Sequence, residues 1–326
     1  MTDFAAALKK NLNYMVIVLI SIIILIVGAV AFFILREPVN FSQPKADAPL
    51  ELKKSKFEFK KCKKNNVSFE NRIFGGEVVM DQQRYPFIVK FIATNSNSSI
   101  IFCGGSLISD DLILSAQHCF QDFNSTNGNS YKISIMLGGN VERNYSDGII
   151  IDSSKFKLIK HPGYNHENML NDIVLIKLHH KIQFSDIIDI VCLPLYDDVI
   201  PNDLKLIGFI NGTTDKEIFI AEGKIPLVDN KKCFEKYDSF RKERFKLKNK
   251  IITKETRPIS EFQFCAGDEN VDSTLRDSGM PAIHFNEYNN AMTIYGIVSF
   301  GTLNNTLPGV YTKISSYLDW ILINSE

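Results

Sequence analysis

Apolar and polar positions divide the chain into three textures. The first is Tyr14 to Leu35, YMVIVLISIIILIVGAVAFFIL, 22 residues inside a stretch, Asn11 to Leu35, that holds no charged residue. A helix of that length is about 33 Å long, enough to cross a hydrocarbon core of about 30 Å. A cleaved signal peptide has a shorter apolar region, about 7–15 residues, ending at small side chains. This run ends in bulky FFILR, so the pattern predicts an uncleaved signal anchor over 14–35. Residues 36–71 carry Pro38, Pro44 and Pro49 and no periodicity, which predicts an extended stem. From Ile73 the pattern changes to short β-rich runs: FIVKFIA, SIIFCGGSLI, KISIMLGG, DIVLIKL, LKLIGFI, TIYGIVSF and GVYTKI. Gly, Asn, Asp and Pro clusters separate them, the spacing of an all-β sandwich or barrel. Only Ser315 to Ser325 reads as a helix, with Tyr317, Leu318, Trp320 and Ile321 on one face and Ser315 or Ser316 as cap.

Composition sharpens this picture in one respect. The 326 residues are 45% apolar, as a folded core requires, and 37 Lys+Arg balance 37 Asp+Glu. A zero balance excludes a chain whose whole surface is a nucleic-acid polyelectrolyte. The zero is a cancellation, however. Lys45 to Lys64 holds eight Lys against three acidic residues, +5, and Arg241 to Arg257 holds eight basic against two acidic, +6. The remainder is therefore −11.

Three fragments carry chemistry. LSAQHCF places His118 on a turn after the apolar run DLILS; NDIVLIKL places Asp172 at the mouth of an apolar strand; RDSGMP places Ser278 in a tight Asp-Ser-Gly turn. A serine hydroxyl needs a neighbouring imidazole to take its proton, and the imidazole needs a buried carboxylate to hold its tautomer. Taken singly, each residue also reads as a cap, a turn or a surface residue.

With their flanks, these fragments show that residues 73–326 resemble the trypsin/chymotrypsin family of serine proteases. IFGG (Ile73 to Gly76) is similar to the start of a mature protease, CGGSLI and His118-Cys119 to the histidine region, DIVLIKL to the aspartate strand, RDSG to the nucleophile turn, and SFG…PGVYTKI to the substrate wall. The resemblance implies an all-β fold of two six-stranded antiparallel β-barrels with a C-terminal helix and the active site between them. It implies that Ser278 attacks, His118 acts as general base and then acid, and Asp172 orients His118. Ser299 would support Asp172 and present its carbonyl to substrate.

The same resemblance pairs the six cysteines as Cys103–Cys119, Cys233–Cys265 and Cys62–Cys192. Two other family bridges are missing as pairs, which leaves no orphan thiol, as an oxidising compartment demands. This sets the orientation that Lys9 and Lys10, against Arg36 and Lys45, leave open. The expected organisation is a cytoplasmic tail (1–13), a transmembrane signal anchor (14–35), a stem and activation peptide (36–72) and an extracellular protease domain (73–326). A Cys62–Cys192 bridge would keep a cleaved catalytic domain tethered to its anchor.

Activation and specificity follow from the resemblance. Cleavage between Arg72 and Ile73 would free an amino group to pair with Asp277. Asp272, six residues before Ser278, stands where trypsin-like members carry the acidic base of the primary pocket, with Phe300, Gly301 and Gly309 on its walls; a carboxylate there selects Arg or Lys. The nucleophile motif departs from the family's Gly-Asp-Ser-Gly-Gly-Pro at Arg276 and Met280. Position 276 shares the oxyanion hole with Ser278, and losing one such donor costs about 10²–10³ in turnover. The alternative reading is therefore a catalytically impaired homologue acting as an extracellular binding module.

Basic residues 241–257 lie in a span between Cys233 and Cys265 that is long for the family, bordering the cleft in family members. They read as a solvated insertion or as an exosite for an acidic partner. Asn-x-Ser/Thr triplets begin at Asn40, Asn66, Asn97, Asn124, Asn144, Asn211 and Asn304, glycosylation candidates outside the cell. No metal cluster, cofactor motif or nucleic-acid partner is expected. The expected partners are a protein or peptide substrate, an activating protease and the membrane.

Overall fold

A computed structural model of the chain describes residues 77–79, 84–96, 98–121, 131–138, 148–196, 198–211, 218–247, 259–267, 277–286, 291–301 and 307–326. All of them belong to the unit Phe57–Glu326. Among the described residues no helix is long and apolar enough to cross a membrane. The expected tail, anchor and stem (1–72) lie outside these residues.

A two-residue strand, β1 (Glu77–Val78), precedes two antiparallel sheets. The first contains β2 (Ile88–Thr94), β3 (Ser99–Leu107), β4 (Leu112–Ser115), β5 (Lys132–Leu137), β6 (Ile149–Asp152), β7 (Phe156–Lys160) and β8 (Val174–Leu178), in the order β6-β5-β2-β3-β4-β8-β7. Its two edges, β6 and β7, are consecutive in the chain and separated only by the 3₁₀ turn Ser153–Lys155. One bent strand thus joins both edges and curls the sheet into a barrel, removing open edges.

The second sheet contains β9 (Asp203–Asn211), β10 (Ile218–Val228), β11 (Gln263–Ala266), β12 (Pro281–Asn286), β13 (Ala291–Phe300) and β14 (Gly309–Lys313). These form the run β10-β11-β14-β13-β12-β9, and β9 also pairs with β10 from Ile218↔Asn211 to Pro226↔Asp203. That ring of six is closed. β1 attaches outside it, with Glu77 opposite Glu222 of β10. Each sheet therefore counts seven strands where six are expected. In the first sheet a bend divides one strand; in the second an N-terminal segment is added.

Burial follows the sequence pattern. In β8, VLIKL, every residue except Lys177 is buried, and β4 is buried throughout. Phe91 and Phe120 meet edge to face, centroids 5.0 Å apart, inside the first barrel. In the second, Phe264 stacks on Tyr311 at 5.1 Å and 12°. Such aromatic pairs add about 0.5–1.5 kcal/mol beyond area burial.

Two expectations are corrected here. The C-terminal helix is not the only one: α1 (Asn230–Leu247) is an 18-residue helix covering the start of the basic segment. Its sequence, NKKCFEKYDSFRKERFKL, lacks a broad apolar stripe, so no helical face stands out. It is held instead by a few anchors. Cys233 bonds to Cys265 of β11, and Tyr237 donates to the Pro308 carbonyl at 2.8 Å and packs on Phe300, centroids 5.8 Å apart. The C-terminal element begins as a 3₁₀ turn, Ile314–Tyr317, and only α2 (Leu318–Ile323) is α-helical. Its N-cap residue is Tyr317, and neither Ser315 nor Ser316 caps it.

A Cys233→Ala/Cys265→Ala double variant, opening a 32-residue separation, is expected to lose about 2–4 kcal/mol of stability in urea unfolding. A loss below about 0.5 kcal/mol would show that α1 is secured without the bridge.

Candidate active site

The apolar strand β4 carries the chain into the interior and ends at Ser115, and Ala116 leads into the next turn. The 3₁₀ turn Gln117–Phe120 then places His118 at the surface of the core, its side chain 20% exposed. Cys119 in the same turn is bonded to Cys103 of β3, which fixes the turn against the sheet. Asp172 precedes β8 and is 0% exposed.

A carboxylate so buried must be fully hydrogen-bonded. The His118 backbone N–H donates to Oδ1 at 2.9 Å, and His118 Nδ1 lies 2.7 Å from Oδ2. The Ser299 hydroxyl donates to Oδ2 at 2.6 Å, and Thr312 Oγ1 donates to the Asp172 main-chain carbonyl at 3.0 Å. His118 and Asp172 belong to the first barrel; Ser299 (β13) and Thr312 (β14) belong to the second. The Asp172 bond fixes Nδ1 as the protonated nitrogen and leaves Nε2 as the basic one.

The loop before Asp172 is held in an unusual path. Met169 and Asn171 have φ of 53° and 57°. Asn171 Nδ2 donates to the Gly163 carbonyl at 2.7 Å, the Tyr317 hydroxyl donates to Asn171 Oδ1 at 3.0 Å, and Gln263 Nε2 donates to the Met169 carbonyl at 3.2 Å. Burial, reinforced by the Asp172 charge, raises the phenols of Tyr164 and Tyr317 above the ordinary tyrosine range. Both stay neutral donors. None of these supports was visible in the sequence, because Gln263 on β11 and Tyr317 in the C-terminal 3₁₀ turn lie far along the chain and belong to no motif.

Ser278 sits in a turn made rigid by its main chain. Its carbonyl accepts the Gly104 N–H at 2.9 Å, the Gly279 N–H donates to Val298 at 2.9 Å, and the Met280 N–H donates to Asp277 at 2.8 Å. Gly279 has φ +81°, and a Cβ there would lie 2.3 Å from the Gly104 carbonyl and 2.3 Å from Ser115 Oγ. The turn therefore abuts the strand end that leads to His118. Met280 is fully buried, and a Cβ on Gly104 would meet its Sδ at 2.0 Å. Room for this methionine is provided by the glycine across the seam. Asp277, 2% exposed, accepts the Phe209 N–H on Oδ1 at 2.6 Å.

Of the remaining expected site residues, Phe300 is half-buried, Gly301 is exposed and Gly309 is buried at the start of β14. Arg72, Ile73, Asp272 and Arg276 lie outside the described residues, as do Asn40, Asn66, Asn97, Asn124, Asn144 and Asn304. Asn211 ends β9, but its side chain is not among those described. Cys192 is disulfide-bonded, while its expected partner Cys62 lies outside the described residues. Among the described residues one cluster could offer metal ligands: Cys103, His118 and Cys119. Its two sulfurs are joined to each other at 2.01 Å and have no thiolate to give.

Two closed antiparallel barrels, with a His–Asp pair and a serine turn at their seam, define the architecture of chymotrypsin-like serine proteases. The family model described as Trypsin matches residues 73–321, and the chain belongs to the trypsin family. It is similar to the clotting factor G beta subunit of Tachypleus tridentatus, 29% identical over 260 residues, 77% of this chain and 78% of that protein. It is also similar to an ovochymase of Halocynthia roretzi, 29% identical over 239 residues, 69% of this chain but 13% of that much longer protein.

Gly279→Ala is expected to destabilise the domain by at least about 2 kcal/mol, from backbone strain and two hard contacts. Thermal unfolding measures it, and wild-type stability in the variant would mean that the turn is not held as described.

Proposed function

We propose that this chain is a membrane-anchored serine endopeptidase, made as a zymogen and cut after Arg72, that hydrolyses peptide bonds after Arg or Lys. The observation that carries the reading is the buried Asp172 carboxylate bonded to His118 Nδ1 beside a rigid Asp277-Ser278-Gly279 turn. In this mechanism Ser278 Oγ attacks the substrate carbonyl carbon while His118 Nε2 takes its proton. Asp172 stabilises the resulting imidazolium and keeps its orientation. The Arg276 and Ser278 N–H groups receive the oxyanion. His118 then returns its proton to the leaving amine, and water, deprotonated by the same Nε2, hydrolyses the acyl-enzyme. Asp272 at the pocket base selects the cationic side chain, between walls formed by Ser299 to Gly301 and Gly309.

The anchor reading rests on the uncharged run 14–35, and the extracellular assignment on the bonded cysteines. Exposed Lys231, Lys232, Lys236 and Lys242 on α1 support an exosite for an acidic partner that continues through residues 241–257. Arg276 in place of glycine favours the second reading, a homologue that binds without cutting.

Labelling separates the two. After cleavage at Arg72, a serine-directed phosphonate is expected to label the chain, and Ser278→Ala is expected to abolish labelling. An unlabelled, cleaved, folded chain would establish the binding module. Asp172→Asn is expected to lower kcat about 10⁴-fold with the fold intact, and a loss below about tenfold would remove the triad reading.

A further inference from the structure

The loop before Asp172 carries a sulfur that the proposed chemistry does not use. Asn165 pairs with Leu170, and its N–H donates to the Leu170 carbonyl at 3.0 Å. The Glu167 N–H donates to Asn165 Oδ1 at 2.9 Å and the Leu170 N–H to Asn168 Oδ1 at 3.2 Å, which keeps the loop tight. Tyr164 and Met169 lie at the neck of this loop, where the Tyr164 hydroxyl donates to Met169 Sδ at 3.6 Å. Met169 is also the residue with φ 53° whose carbonyl accepts Gln263 Nε2. A side chain at such an angle persists only where its surroundings over-determine it. Here the carbonyl is held by β11 and the thioether by a phenol.

Accessibility singles out the same residue. Met136, Met280 and Met292 are buried, whereas Met169 is half-buried and follows the exposed His166 and Glu167. A reagent in solvent therefore meets Met169 ahead of those three. Its partner is a constant donor, because burial, reinforced by the Asp172 charge, keeps the Tyr164 phenol neutral. A thioether is only a weak acceptor for such a donor.

Oxidation would change this contact in kind. It turns an apolar side chain into a polar one whose new oxygen competes for the phenol proton. At 3.6 Å the sulfur and the phenol oxygen are already in contact, so no oxygen can enter between them without displacing one. The main chain of Met169 is tied to Gln263, and three residues later the chain reaches the buried Asp172. A shift at the neck is thus passed to the carboxylate that orients His118.

We propose that Met169 is a reversible oxidation switch: hydrogen peroxide transfers one oxygen atom to Sδ, and the sulfoxide displaces the Tyr164–Met169 contact and slows the enzyme. This rests on the endopeptidase reading. A sulfur lone pair attacks one peroxide oxygen, so that an S–O bond forms as the O–O bond breaks. The hydroxide that leaves takes the proton from the transferred oxygen and departs as water. Sulfur is oxidised by two electrons and the peroxide is reduced by two. Methionine sulfoxide reductases return the thioether. Met169 is a positioning residue, acting on His118 only through the loop that carries Asp172.

The test uses the full chain cleaved at Arg72, hydrogen peroxide, and the rate at which a serine-directed phosphonate labels Ser278. Peptide mass spectrometry is expected to find sulfoxide at Met169 before Met136, Met280 or Met292. The labelling rate of the oxidised chain is expected to fall at least about tenfold, because a misplacement of about 1 Å costs as much as about 10²-fold. Methionine sulfoxide reductases are expected to restore the rate, an arm that needs no variant. In Met169→Leu, peroxide is expected to leave the variant's own rate where it was. Met169 oxidised with the labelling rate unchanged would overturn the switch. So would oxidation of the buried methionines ahead of Met169, or an equal peroxide loss in folded Met169→Leu. Failure of the unoxidised, cleaved chain to label would overturn the enzyme reading beneath it. A chain that labels equally well before and after Met169 is oxidised would overturn the switch alone.

Discussion

The structure depends on one buried carboxylate. Asp172 is 0% exposed and ionised groups are costly to desolvate, so its oxygens must be satisfied from nearby. The donors come from both barrels: His118 by backbone and ring, Ser299 by its hydroxyl. A slide of one barrel against the other would leave a buried charge short of a partner. The constraint that registers the barrels is thus also the one that aims the imidazole. Stability and the proposed chemistry rest on the same three hydrogen bonds.

Ser278 is set by a second layer of constraints, and these are almost entirely backbone. Three strands contribute, through Gly104 of β3, Val298 of β13 and Ser115 at the end of β4. Because main-chain groups do this work, side-chain identity around the turn is free to vary where space permits. Met280 illustrates the point. It takes the volume that Gly104 leaves empty and packs as an ordinary core residue. The backbone bonds of the Asp277-to-Met280 turn are formed with methionine in place.

Much of this was legible in the chain, and the reason is local chemistry. His118, Asp172 and Ser278 sit in flanks whose apolar runs predict strands and whose turn residues predict the breaks between them. What was not legible depends on tertiary context. α1 lacks a clear apolar face and is held through scattered residues such as Asn230, Cys233 and Tyr237, so periodicity cannot reveal it. The bend at Ser153–Lys155 separates β6 from β7, because closing a barrel requires a corner that no composition signal marks. Lys90 looks like the polar member of an alternating strand. It is nonetheless 5% exposed, on the face it shares with Gly104.

The start of the described residues is held to the second barrel through one acidic side chain. Glu222 of β10 is nearly buried and gathers Arg84 at 3.0 Å, Lys205 at 3.3 Å and the Tyr85 hydroxyl. It lies opposite Glu77 of β1. Residues 77–79 and 84–85 are thus pinned to the second barrel at both ends. A terminus created at Ile73 would be only four residues from the first pinned point, a reach of about 13 Å when fully extended. If cleavage there occurs as proposed, so short a tether keeps the new amino group within that reach of β1 and so raises its effective concentration at the second barrel.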